Sequence, residues 1–125
     1  MPTLTEGTHA GEFIVSEATA GATGVARGRT AGILASGQNL AAGSVVGIVT
    51  ASGEYAAYNN AAGDGTEVAA GILFDAVDAS TAAADCVVLD GDCEVNGAEL
   101  VWNGADQAAQ DAAVADLRAL GIRVR

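Results

Sequence analysis

The chain has 125 residues, half of them apolar, and a formal net charge of −11 at neutral pH, with five Arg and no Lys. One domain of this length buries about two thirds of its unfolded surface, and the charge excludes the basic footprint of direct DNA or RNA binding. The absence of Lys also removes a P-loop lysine and any Schiff-base chemistry. The cations are unevenly placed: Arg27 and Arg29 lie in the first third and Arg118, Arg123 and Arg125 at the end, with carboxylates alone between them. Of the apolar residues 29 are Ala, whose methyl contributes about 0.8 kcal/mol when buried against about 1.5–3 for Val, Leu or Phe. A thin core completed by other copies of the chain is the expectation, hence a homo-oligomer.

In chain order, Met1 to Gly11 has Pro2, a lone His9 and no periodicity, and reads as a mobile arm. Glu12-Phe13-Ile14-Val15-Ser16-Glu17 is a short strand-like segment closed by charges. Alternation places Phe13 and Val15 on one face and Ile14 and Ser16 on the other. From Ala18 to Gly32 there is almost no large side chain, and such a stretch cannot order itself by burial. Residues 1–32 thus read as a flexible arm with a strand-forming island at 12–17, and residues 33–125 as the globular domain. A strand between two flexible flanks reads as one that joins the edge of another protein's sheet.

Short apolar pieces at Ile33-Leu34, Leu40, Val45 to Val49 and Glu54 to Tyr58, separated by Ser-Gly and Ala-Gly turns, describe a compact β region. The densest β-branched and aromatic run, Thr66 to Asp78, continues through Cys86 to Leu89 and ends at Leu100-Val101-Trp102. It reads as the central sheet, with Ile72, Leu73, Phe74, Val88, Leu100 and Trp102 in the core. Asp90-Gly91 and Asn96-Gly97 are competing hairpin signals, and the sequence does not choose between their registers. With a turn at Asp90-Gly91, Cys86 and Cys93 share a face on a diagonal too long for an easy disulfide; both read as buried free thiols in a reducing compartment. Beyond Trp102 the period changes to that of one helix, capped by Asn103 or Asp106, with Ala109, Ala113, Leu117 and Leu120 inward and Gly121 as its stop. Ile122 to Arg125 alternates as a final edge strand. The fold class is mainly β with one C-terminal α-helix.

No motif argues for catalysis. Gly21, Gly24 and Gly28 do not make G-x-G-x-x-G, and there is no G-x-S-x-G elbow. His9 lies in the arm, and the two Cys have no zinc-spaced partners. Asp90-Gly91-Asp92-x-Glu94 offers oxygens without the twelve-residue spacing of a calcium loop. The sequence therefore names no catalytic residue, metal ligand or cofactor. The start lacks a charged-then-apolar leader and no apolar run approaches about 18 residues, so no membrane partner is expected.

The residues His9 to Ala18, Val68 to Leu73 and Glu94 to Trp102, followed by Leu120-Gly121-Ile122, make the chain resemble the lambda-type phage head decoration proteins over nearly its whole length. The resemblance implies a non-enzymatic homotrimer with a bent β-ribbon, β-clip-like fold. Its partner is the major capsid (coat) protein, on the outer surface of the expanded head at three-fold sites, with the host cytoplasm as the place of assembly. It also implies that the arm adds a strand to coat-protein sheet, a role that falls on Glu12, Phe13, Ile14, Val15, Ser16 and Glu17. Two other readings remain at this stage: a small trimeric enzyme of similar fold with sites between subunits, and a calcium-dependent adhesion module suggested by the acidic Gly-rich loops.

Overall fold

A computed structural model describes residues 9–17 and 28–125. Its architecture is mainly β with one helix near the C-terminus, as the sequence implies. Five strands close a barrel in the order β2 (Arg29–Leu34), β5 (Tyr55–Ala57), β4 (Val45–Ile48), β6 (Gly71–Leu73) and β8 (Ala84–Leu89). A two-stranded ribbon pairs β3 (Gln38–Leu40) with β7 (Val77–Ala79). A mixed sheet sets β9 (Cys93–Val95) between β1 (Ile14–Glu17), antiparallel, and β10 (Ile122–Val124), parallel.

The apolar doublets of the barrel strands explain this layout. Val45 and Val46, Ile72 and Leu73, and Leu89 and Val88 are each at most 1% exposed. Successive strand side chains point to opposite faces, so each doublet feeds two cores. Val46, Leu73 and Val88 fill the barrel interior with Leu34, Leu40, Tyr55, Ala79 and Cys86. Val45, Ile72 and Leu89 face a second core shared with Phe13, Val95, Leu100, Ile122 and the helix. Trp102 and Phe74 pack against that second core while partly exposed.

The helix α1 (Gln107–Ala119) starts where Asp106, in extended conformation, accepts a 2.8 Å hydrogen bond from Ala109 N–H. This satisfies one of the helix's orphan donors. Ala109, Ala113 and Leu117 form its buried stripe. Leu120, expected in the core, is instead 39% exposed. The helix ends at Ala119 and Gly121 takes φ +90°, so the chain turns before the next inward position and Ile122, 1% exposed, fills the place.

Four further expectations differ from what is seen. Thr66 to Asp78 is not one strand, because β6 and β7 belong to different sheets. Neither Asp90-Gly91 nor Asn96-Gly97 closes a hairpin. The first carries the chain from the barrel into the mixed sheet, and the second opens a 3-10 helix, Gly97–Glu99, in which Asn96 Oδ1 accepts from Ala98 N–H. Cys86 and Cys93 are buried and free as expected, but each lies in a different core rather than on a shared face. Finally, the boundary drawn at Gly32 falls inside a barrel strand. Arg29 to Gly32 pair with Leu89 to Cys86, and Tyr55 packs so close to Gly32 that a Cβ there would sit 2.5 Å from the ring. Such a strand is made by backbone pairing and close approach, which leaves no apolar signature. Residues 1–8 and 18–27, read as parts of the arm, lie outside the described residues.

Leu117→Ala should cost about 2–5 kcal/mol in urea denaturation, against about 0.5 or less for Leu120→Ala. Equal losses would mean that Leu120 packs in solution. The thiols give a second test. Burial first, then the nearby Glu17, Asp92 and Asp90 carboxylates, push the Cys93 thiol up to about 11, and burial raises Cys86 as well. An aromatic disulfide reagent at pH 8 should therefore modify the native protein at least about tenfold more slowly than the unfolded chain. The unfolded Cys93 ionises near its ordinary value while the folded one stays protonated to about 11, so stability should fall as pH rises across that window.

Candidate functional site

The six arm residues named from the sequence converge on one place, the seat of β1. Glu12 N–H donates to His9 O, Ile14 N–H donates to Gly11 O, and Gly11 takes φ +71°. His9 Nδ1 lies 3.3 Å from Glu12 Oε2. The resulting turn delivers Phe13 into the second core, where it is 1% exposed. Asn96 N–H donates to Phe13 O at 2.8 Å, and Ile14 and Glu17 then register with Val95 and Cys93.

The expected alternation does not survive in β1. The register shifts between Ile14 and Ser16, so Val15 is an extra residue on this strand. A bulge of this kind re-aims the side chains on one side of it. Phe13 is therefore buried while Val15 is 54% exposed, although simple alternation puts both on one face. In the sheet order β1-β9-β10, β1 is an edge strand whose partner among the described residues is β9.

The far end of β1 is held by a residue that the sequence reading did not single out. Arg29, at the start of β2, donates from Nε and Nη2 to the two carboxylate oxygens of Glu17 at 2.8 and 2.6 Å. Its guanidinium carbon also lies 4.1 Å from the centre of the Phe74 ring. The carboxylate bond raises the Arg29 pKa above its ordinary value. Phe74 closes the cluster: its carbonyl accepts from Gly11 N–H at 3.0 Å, and a Cβ on Gly11 would meet its ring at 2.7 Å. Phe74 thus serves less as a core anchor than as the platform between the turn at Gly11 and the cation of Arg29. The available sequence signal was that Arg29, with Arg27, supplies the cations in a stretch following Glu17 that has almost no large side chain.

Elsewhere a concavity of about 540 Å³ lies between the Asn59 to Thr66 loop and the start of α1. Its acids are engaged in the fold: Asp106 caps α1, and Asp64 accepts from the backbone and hydroxyl of Thr66. Tyr58 donates its hydroxyl to Ala109 O at 2.9 Å. Glu94 is held by Arg125 at 2.9 and 3.0 Å, and Asp90 accepts from the Thr30 hydroxyl. Among the described residues no three His, Cys, Asp or Glu side chains are grouped to hold a metal ion. The organised feature is a sheet edge with an anchored strand, which suits protein contact better than bond-making chemistry.

A family model described as bacteriophage lambda head decoration protein D matches residues 3–122. The chain belongs to that family. No curated protein matches it. Its role is therefore structural, as a decoration protein of the phage head that binds the capsid, and the family is not one of enzymes.

Because Phe13 is a core residue, Phe13→Ala should lower stability in urea denaturation by about 3–5 kcal/mol, whereas Val15→Ala should change it by about 0.5 or less. A freely mobile segment would tolerate both changes equally.

Proposed function

We propose that this head decoration protein binds the outside of the expanded phage head as a trimer at three-fold sites and stabilises the shell by strand addition through residues 12–17. The observation that carries the reading is the outer edge of β1, an edge strand that presents the 54% exposed Val15. A coat-protein strand laid along it extends the sheet β1-β9-β10 into the shell. Edge strands in natural proteins are usually blunted by charge, Pro or covering elements. Here Glu12 and Glu17 flank an apolar centre, which leaves the middle of the strand available.

The energetics favour a multivalent arrangement. About four new backbone hydrogen bonds contribute roughly 0.5–1.5 kcal/mol each, and ordering the incoming strand offsets much of that. With β1 already seated on β9, the ordering cost falls on the coat segment alone. Three copies on one trimer make the later contacts intramolecular and raise avidity by about 10²–10⁴. The small Ala and Gly side chains would let subunits approach closely at the trimer contact.

Co-sedimentation with expanded empty heads tests this reading. The wild-type chain should saturate the shell, and Val15→Asp, which places a charge at the centre of the edge without touching either core, should bind at least about tenfold more weakly with its thermal melt unchanged. Equal binding by the two would move the contact to another face of the body.

A further inference from the structure

We propose that Arg29 is a positioning residue for the head-binding strand: with Phe74 beneath it, its fork on Glu17 fixes the line along which β1 meets the shell. The inference rests on the reading of β1 as the head contact. It assigns to a barrel residue, in a different sheet from β1, control over that contact.

The argument begins from how little else holds β1. The strand has four residues, and its ladder with β9 is interrupted by the shift between Ile14 and Ser16. A bulged strand bends, and its ladder hydrogen bonds are locally lost. Two anchors compensate, one at each end. Phe13 is a plug in the second core before the strand begins, and Glu17, its last residue, is gripped by Arg29. The Glu17 and Arg29 side chains are 15% and 35% exposed, so the pair is less screened than an ordinary surface pair.

The grip is directional. A guanidinium presents two N–H groups in a rigid fork that matches a carboxylate, which adds geometric specificity to the attraction. Its second contact, 4.1 Å above the Phe74 ring, fixes the plane of the fork from below. Phe74 is itself fixed, with its N–H donating to Val87 O on β8 and its carbonyl accepting from Gly11. Arg29 lies on β2, registered with Leu89 of β8. The end of β1 is thus referenced to the barrel wall on both sides of Phe74. A strand held this way meets an incoming partner already in register, and preorganisation lowers the cost of binding.

Three variants test the role: Arg29→Ala, Arg29→Lys, which keeps the cation over Phe74 but loses the fork, and the exchange E17R/R29E, which restores the pair but removes the cation from the ring. In the free protein, amide hydrogen exchange at residues 14–17 should quicken in R29A while β8 and α1 are unchanged, with the melting temperature within about 5 °C of wild type. On expanded heads R29A should bind about three- to tenfold more weakly than wild type, with R29K and the exchange variant between the two. Binding by R29A equal to wild type would overturn the role of Arg29 while leaving β1 as the contact. Unchanged exchange at residues 14–17 would overturn it as well. Should R29A fail to fold, the same comparison is made on R29K, where wild-type binding and exchange overturn the proposal. Failure of the wild-type chain itself to bind heads would remove the head-contact reading, and this inference with it.

Discussion

The barrel wall formed by β4, β6 and β8 is buried on both of its faces, and the rest of the molecule depends on that. Each strand carries an adjacent pair of large apolar residues, Val45 and Val46, Ile72 and Leu73, and Val88 and Leu89, with one member in each core. Because the side-chain period is two, a slip of one residue would exchange the two sets and mismatch both cores. Register is therefore doubly determined here. These six side chains, each contributing about 1.5–3 kcal/mol on burial, are a large part of what a chain so rich in Ala can offer. The second core exists only because this wall has an outer apolar face, and Phe13, Leu117 and Ile122 close over it from three separate segments.

That dependence explains why the N-terminal strand behaves as it does. Sequence alone makes Glu12 to Glu17 a strand island with small, polar surroundings and no partner in sight. The partner is β9, which in turn is placed by β10 and by the hydrogen bonds that follow it, where Gly97 N–H donates to Arg125 O and Arg125 N–H to Val95 O. The N-terminal strand thus seats on a sheet completed only when the last residues of the chain are in place. Contacts of such wide sequence separation carry a high loop-closure cost before they contribute, and no local pattern announces them.

How legible each element was follows the same division between local and distant causes. The helix was readable because its cap at Asp106 and its stripe of Ala109, Ala113 and Leu117 are local; only its last turn misled, where Gly121 turns the chain and leaves Leu120 outside. Strand existence was mostly readable from β-branched runs, whereas sheet membership was not. Thr66 to Asp78 looks continuous, yet the turn after Phe74 sends β7 to pair with β3. Asp90-Gly91 is a good turn sequence, but the pair cannot encode whether the next strand returns to its neighbour or leaves for another sheet. β2 was hidden for a different reason: Thr30, Ala31 and Gly32 contribute backbone pairing and room for Tyr55 rather than apolar bulk. At the candidate site a strand within Glu12 to Glu17 was readable, and Ile14–Glu17 forms one, but Val15 changed faces at the bulge, and Arg29 required the fold to bring β2 beside the end of β1.

The distribution of charge completes the argument. Sixteen carboxylates are set against five Arg, and several acids serve as turn formers and caps: Asp106 caps α1, and Asp64 and Asp78 sit in local hydrogen bonds with Thr66 and Ser80 that lower their pKa values. Two of the cations form two-pronged pairs, and both pairs act on the mixed sheet. Arg29 grips Glu17 at the end of β1, and Arg125 grips Glu94 on β9 from the end of β10, lowering the Glu94 pKa. The strands of this sheet are only four, three and three residues long. Short strands have few ladder bonds, and a carboxylate fork is a compact way to fix an end that the ladder cannot. The mixed sheet is therefore tied to the barrel at its β1 edge by Arg29 and closed on itself at its β10 edge by Arg125 and Glu94. For the strand addition proposed above, such a sheet would offer an edge whose geometry is set in advance, which lowers the cost of binding.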